Sequence, residues 1–129
     1  MCGVWAMAEE ARPPFDIRQR TFELAVRIVR LCQHLDEQRG AGRVLARQLL
    51  RAGTSIGANV EEAQAGQSRA DFANKYAIAL KEARETNYWL RLIVAASVVA
   101  EARVADLLRE VDEVTRIIGA IIVSAKKSP

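Results

Sequence analysis

Arginines at helical spacing are the residues of this chain best suited to a chemical role. They recur three, four or seven residues apart in two segments and give six candidates: Arg20, Arg27, Arg30, Arg43, Arg47 and Arg51. A guanidinium group pairs bidentately with phosphate, and residues four apart share one side of a helix. The pattern therefore predicts a nucleic-acid-binding surface made of these six side chains.

The charge distribution favours the same interpretation. Residues 12–51 contain nine basic and four acidic residues, whereas the 78 residues that follow contain ten of each, and arginine outnumbers lysine fifteen to four. Positive charge is thus concentrated in the first part of the chain, although the whole protein carries only +3. The alternative is a solvated face whose arginines pair with glutamates of another subunit, and the candidate partners are Glu61, Glu62, Glu82 and Glu85.

Carboxylates and thiols raise the question of an enzyme. Helical bundles hold di-metal centres with glutamates and Glu-x-x-His pairs, and four glutamates have suitable positions: Glu62, Glu82, Glu85 and Glu101. The single histidine, His34, has no glutamate three residues before it, and Cys2 and Cys32 form no CxxC pair. Phosphate-loop and nucleophile-elbow motifs are also missing from the sequence. We therefore predict no catalytic residue, no metal and no cofactor.

A second group of polar residues lies on or beside the apolar face of the segment Gln48–Ala63. Gln48, Ser55 and Asn59 are the members of this group. An unpaired amide or hydroxyl buried there would cost about 1–3 kcal/mol, so each is expected to have a partner. Carboxylates at Glu62 and Glu85 are the candidate acceptors. The five residues form a predicted structural polar network that fixes the register of two helices.

Apolar residues recur at helical spacing in four segments. The predicted helices run from Asp16 or Thr21 to about Gln38, from about Arg43 to Ala65, from a cap at Ser68 onwards, and from about Arg103 to Lys126. Gly53 and Gly57 lie inside the second helix, where each costs about 1 kcal/mol relative to alanine but permits a close helix approach. Short connections between helices of similar length predict an all-α, antiparallel up-down-up-down four-helix bundle.

The positions of the apolar residues also predict which side of a helix faces the core and which helices have additional apolar surface. The stripe of the first helix is predicted to consist of Phe22, Ala25, Ile28, Val29, Cys32 and Leu35. In the fourth helix Ile117 and Ile122 widen the stripe beyond one core-facing side, and Tyr88 and Trp89 extend the apolar surface of the third. This surplus predicts self-association, with scattered surface hydrophobes as the alternative.

The ends of the chain define the domain boundaries and the expected compartment. Pro13-Pro14 closes a flexible tail, residues 1–14, and the bundle domain covers residues 15–129. The tail carries Glu9 and Glu10 where a secretory leader would be basic, and the longest uncharged apolar stretch, Leu92–Ala100, is too short to span a bilayer. We expect a cytoplasmic protein without a membrane partner.

The second-helix segment resembles a known family. Its motif reads Gln48-Leu49-x-Arg51-Ala52-x-x-Ser55-Ile56-x-Ala58-Asn59-Val60-x-Glu62, and Phe72, Ile78-Ala79 and Glu85 follow at matching spacing. This pattern is similar to that of the four-helix-bundle proteins first noticed in intervening sequences of 23S ribosomal RNA genes. The resemblance covers roughly Phe22 to Thr115.

The resemblance implies an antiparallel four-helix bundle that closes into a ring, commonly a homopentamer. Relatives include accessory proteins of diversity-generating retroelements, which bind nucleic acid. Together with the arginines, this predicts a non-enzymatic oligomeric scaffold that binds structured RNA, or DNA, weakly. The alternative is an assembly module for a separately encoded protein, with no nucleic-acid role. The two differ in salt dependence, because phosphate binding weakens steeply as salt rises.

Overall fold

The computed structural model describes residues 16–66 and 68–127 of the protein, and these residues form four long helices with no strand among them. The helices are α1 (Ile17–Asp36), α2 (Ala41–Gln64), α3 (Arg69–Ala95) and α4 (Glu101–Lys127). The predicted all-α fold is confirmed, with helix ends within a few residues of the predicted ones. The predicted flexible tail, residues 1–14, lies outside the described residues.

Side-chain caps explain where two of the helices begin. The Asp16 carboxylate accepts a hydrogen bond from the backbone N–H of Gln19, so Asp16 rather than Thr21 is the cap of α1. Thr21 is fully buried inside the helix, and its hydroxyl donates to the carbonyl of Ile17 at 2.8 Å. Ser68 caps α3 as predicted, since its hydroxyl accepts from the N–H of Asp71.

The turn between α3 and α4 contains a left-handed residue that is not glycine. Ser97 has φ +62°, and the N–H of Val98 donates to the carbonyl of Ile93 while that of Ser97 donates to Val94. These two bonds form a Schellman motif, which satisfies the last carbonyls of α3 and turns the chain sharply. The motif sets where α4 begins, and therefore where the side chain of Arg103 lies relative to α1.

The bundle core is continuous along all four helices, but its stripe on α1 differs from the predicted one. Leu24, Ile28 and Leu31 are buried, whereas Phe22 and Val29 are 62% and 36% exposed. The stripe centres on Ile28, and Phe22 and Val29 lie about a quarter turn or more from its middle. The prediction that these two residues belong to the core stripe is wrong, because six-residue apolar patterns do not by themselves fix the centre of the buried face.

Glycines in α2 bring this helix close to α1, as the sequence predicts. A Cβ atom added at Gly53 would lie 2.7 Å from Ile28 Cγ2, and one added at Gly57 would lie 3.2 Å from the carbonyl oxygen of Thr21. The first distance is shorter than carbon atoms tolerate, so the two backbones approach as closely as glycine permits.

Polar contacts between helices follow the order expected of antiparallel neighbours. Arg18 near the start of α1 pairs with Glu61 near the end of α2, and Arg43 near the start of α2 pairs with Asp36 at the end of α1. This arrangement is consistent with the predicted up-down-up-down bundle. In it, α1 packs along most of α2 on one flank and over a much shorter stretch of α4 on the other.

Candidate nucleic-acid interface

Three of the six predicted arginines are engaged in ion pairs within the bundle. Arg20 makes the most extensive set: its Nε and Nη2 donate to the two carboxylate oxygens of Glu110 at 3.0 and 2.7 Å, and Nη2 also donates to Glu113 at 2.9 Å. Only 16% of the Arg20 side chain is exposed, and these carboxylates raise its pKa further above its already high ordinary value. Arg20 is therefore a link between α1 and α4, and two carboxylates more than neutralise its charge.

Arg51 and Arg43 are also neutralised locally. The Arg51 guanidinium donates to Glu82 at 3.3 Å and to Glu85, so it joins α2 to two carboxylates about one turn apart on α3. Arg43 donates to the carbonyl oxygen of Asp36 and lies 3.6 Å from its carboxylate. The predicted alternative of arginine–glutamate pairs is thus present for Arg51, but inside one subunit.

Arg27, Arg30 and Arg47 differ from these three. Each is exposed, and none makes an ion pair or a side-chain hydrogen bond within residues 16–66 and 68–127. Of the six guanidinium groups of the predicted surface, three therefore have no partner among the described residues, and the other three are paired.

The unpaired arginines lie on two flanks of α1. Arg27 and Arg30 line a cleft between α1 and α4 of about 230 Å³, together with His34 and Arg103 and above the apolar Leu31 and Leu107. Arg47 lines a larger cleft between α1 and α2, whose other walls are mainly apolar and include Val29 and Leu50. Helical spacing makes Arg27 and Arg30 neighbours on α1, and tertiary packing places Arg47 in a different cleft.

Arg103 is the functional candidate that sequence reasoning missed. It lies in the first turn of α4, some seventy residues after Arg30, and no local spacing connects it with the arginines of α1. The antiparallel pairing of α1 with α4, which the sequence predicts, was the available signal, since it places the start of α4 near the end of α1.

Three features of the described residues bear on functions other than nucleic-acid binding. No group of three or more His, Cys, Asp or Glu side chains in the described part of the chain could hold a metal ion. Burial raises the pKa of the Cys32 thiol to about 11, and the thiol donates to the carbonyl of Ala46. Cys32 is thus a core residue, as predicted. Among the same described residues, no helix has the length and apolar content needed to cross a membrane.

The family of the chain follows from a comparison over most of its sequence. Residues 14–120 match the 23S rRNA-intervening sequence protein family. The chain belongs to this family. No curated protein matches it.

A solved structure agrees with this assignment to the 23S rRNA-intervening sequence protein family. It is the crystal structure of a protein with unknown function from the S23 ribosomal protein family of Bacteroides thetaiotaomicron. The two chains share 40% sequence identity and superpose with a TM-score of 0.77, over 82% of this chain and 97% of the other.

The second-helix segment that carries the family motif contains four of the five residues of the predicted polar network, and their contacts differ from the prediction. The Ser55 hydroxyl donates to the carbonyl of Arg51 at 2.6 Å, and the Asn59 amide donates to the carbonyl of Ser55 at 2.8 Å, so both bonds stay within α2. Gln48 is exposed, and Glu62 pairs with Lys75 of α3 at 2.7 Å. The predicted bonds to Glu85 are wrong: Ser55 and Asn59 reach their own helix backbone first, and Gln48 lies exposed on the surface.

Glu85 has different partners from the predicted ones. Its carboxylate accepts from the indole N–H of Trp89 at 3.0 Å and from Arg51. The bond from Trp89, followed by that from Arg51, lowers the pKa of Glu85. The link between α2 and α3 that was predicted for Asn59 is therefore made by the longer side chain of Arg51, whose reach spans the gap between helices.

Proposed function

We propose that the protein is a non-enzymatic, cytoplasmic scaffold that assembles with copies of itself and binds structured RNA weakly. The observation that carries this proposal is the division of the arginines. Arg20, Arg43 and Arg51 have carboxylate partners, whereas Arg27, Arg30 and Arg47 have none in the described residues. Unneutralised guanidinium groups on an exposed face are suited to phosphate.

Self-association would raise the affinity for RNA above that which three unpaired arginines provide in a single chain. Phe22, Tyr88 and Val123 are large apolar side chains that remain 62%, 48% and 53% exposed in the single chain. Burial of such residues between copies would stabilise an assembly, and the family resemblance points to a ring of five. A ring repeats one weak basic patch around its circumference, so that an extended RNA contacts several copies at once.

The test is the mass in solution by light scattering, with and without a structured RNA, at low and high salt. A pentamer that gains RNA only at low salt supports the proposal. With about three phosphates contacted per copy, affinity per site is expected to fall about 30-fold between 50 and 200 mM salt. A monomer at all concentrations contradicts the assembly part of the proposal.

A matched pair of variants separates this site from general charge effects. Arg27→Gln with Arg47→Gln removes two unpaired guanidinium groups. Arg43→Gln with Arg109→Gln removes the same net charge from arginines paired with Asp36 and Asp106. The first variant should bind RNA more weakly and with a salt slope lower by about 2, while the second should stay near wild type. Equal losses would contradict the assignment of the surface.

A protein-only assembly module is the second candidate. Val29 and Leu50, both partly exposed, lie on the walls of the cleft between α1 and α2 and offer apolar contacts to another protein. A ring that ignores RNA at every salt concentration would favour this candidate.

A further inference from the structure

The cleft between α1 and α4 is lined mainly by basic residues. Four of its six lining residues carry basic groups, and no carboxylate lines it: Arg27, Arg30, His34 and Arg103, with Leu31 and Leu107 as the apolar remainder. Three of the basic groups come from one face of α1 and the fourth from the first turn of α4. Two helices that the fold makes neighbours thus present positive groups to a common space.

Some other arginines of α1 and α4 have carboxylate partners. Arg20, two turns before Arg27, bridges Glu110 and Glu113 of α4, and Arg109 pairs with Asp106. Within the described residues, Arg27, Arg30 and Arg103 make no such ion pairs. Like charges that line one cleft repel each other. An anion bound in the cleft would attract each of them and so offset that repulsion.

The dimensions of the cleft restrict the ligand. About 230 Å³ is below the roughly 300–1,000 Å³ of sites that hold drug-sized molecules, and too small to hold a duplex. A tetrahedral oxyanion fits this space, and guanidinium groups pair with its oxygens bidentately. The imidazole of His34 can donate a hydrogen bond in its neutral or its charged form.

We propose that this cleft binds the terminal phosphate monoester of an RNA, a deepening that rests on the proposed RNA binding. A phosphate monoester has three unsubstituted oxygens and about −1.5 to −2 charge at pH 7, whereas a phosphodiester within the chain has two such oxygens and one negative charge. Three guanidinium groups and an imidazole match the monoester better. A chain end also enters a cleft that a continuous backbone would have to bend to reach.

The experiment compares one hairpin RNA in three forms, with a 5′-phosphate, a 3′-phosphate or hydroxyls at both ends. Binding of each to the full-length protein is measured by fluorescence anisotropy at low salt. One of the two terminal phosphates should increase affinity about tenfold, as expected for added charge-assisted hydrogen bonds. Inorganic phosphate should reduce this advantage more than chloride does at equal ionic strength, because chloride only screens the charges.

Variants assign the effect to the cleft. Arg103→Gln should abolish the advantage of the terminal phosphate, and Arg103→Lys should restore part of it, because charge without the planar fork remains. Arg47→Gln should weaken all three RNAs equally and preserve their ratio. Arg109→Gln, another arginine of α4, serves as the charge-matched control, and thermal unfolding of each variant checks that the bundle is intact.

The possible failures are distinguishable. If all three RNAs bind equally well and depend on Arg47 and on salt, the end-binding inference is overturned while the proposed function stands. If no RNA binds in any form, both are overturned. If no RNA binds but inorganic phosphate raises the melting temperature of wild type and not of Arg103→Gln, the cleft takes free phosphate, which overturns the inference about RNA ends.

Discussion

The two flanks of α1 are held by different physical means. On the α2 side, glycine at position 53 lets the backbones approach until Ile28 fills the space where a Cβ would lie. On the α4 side, the long side chain of Arg20 spans a wider gap to Glu110 and Glu113. One flank is close-packed and the other is bridged by charge. The difference teaches that the same helix supplies a rigid part of the core and a surface with room for a ligand.

The bridged flank is itself divided along its length. At the end where Arg20 lies, acidic residues of α4 outnumber the basic ones that they pair with. At the other end, Arg27, Arg30 and Arg103 meet without a carboxylate between them. Because α1 and α4 pack over a short stretch only, this end remains a cleft instead of closing into core. Packing contributes stability on one flank, and the lack of packing leaves a candidate site on the other.

The largest expected effect comes from breaking the close-packed flank. Gly53→Ala places a methyl group 2.7–2.9 Å from the γ carbons of Ile28, which is fully buried. Overpacking of this kind outweighs the gain in helix propensity, for a net loss of about 1–2 kcal/mol in the free energy of unfolding. Urea denaturation measures it.

Gly119→Ala is the matched control for that prediction. A Cβ atom at Gly119 meets nothing within 4 Å, so alanine should stabilise α4 by up to about 1 kcal/mol. If both substitutions stabilise the protein equally, the close approach of α1 and α2 does not constrain position 53.

The next effect comes from breaking the bridged flank. Arg20→Gln removes the bidentate pair with Glu110 and the bond to Glu113, so both carboxylates lose their partner on α1. The expected loss is about 1 kcal/mol, since the pair is partly buried but accessible to water. Arg27→Gln removes an equal charge from an unpaired position and should change stability by less than about 0.5 kcal/mol. A similar loss in both variants would contradict the difference between the two ends of this flank.

Acid sensitivity tests the same bridge with a smaller effect. The hydrogen bond from Arg20 lowers the pKa of Glu113 in the folded protein. A carboxyl group with a lower pKa in the folded state stabilises the protein above its unfolded pKa of about 4.3, and this contribution is lost as pH falls through the folded pKa. Glu113→Gln should therefore reduce the loss of stability between pH 5 and pH 3, as measured by urea denaturation.

Glu37→Gln is the control for the acid experiment. Glu37 is exposed at the end of α1 and makes no ion pair within the described residues. If Glu37→Gln and Glu113→Gln flatten the pH dependence to the same degree, the contact with Arg20 contributes nothing to it.

The smallest change in stability is expected when a carboxylate is introduced at the end of the α1–α4 flank that contains Arg103. That end then resembles the end where Arg20 is paired with glutamates. Arg103→Glu places a carboxylate beside Arg27 and Arg30, and should stabilise the bundle by no more than about 0.5 kcal/mol. The same change should abolish the preference for a terminal phosphate, because the cleft then resembles the neutralised surroundings of Arg20. Thermal unfolding and RNA binding are measured on the same preparation, and retained preference contradicts the role of the cleft.

Much of the fold could be predicted because it depends on local rules. Apolar periodicity predicted four helices, the chemistry of Ser68 predicted the start of α3, and Gly53 and Gly57 indicated a close helix approach, which the structure confirms. The exposure of Phe22 was not predictable in the same way. Periodicity defines a face only to within about a quarter turn, and the neighbouring helices decide which edge of that face is covered.

The candidate site was predictable only in part, for the same reason. The arginines and their clustering in the first half of the chain are properties of the sequence, as are the polar side chains of the family motif. The sequence alone determined that the protein is a helical bundle of this family with excess arginine. Tertiary structure decided which guanidinium groups are neutralised, and it brought Arg103 to Arg27 and Arg30, because ion pairs and clefts depend on residues that are distant along the chain and close in space.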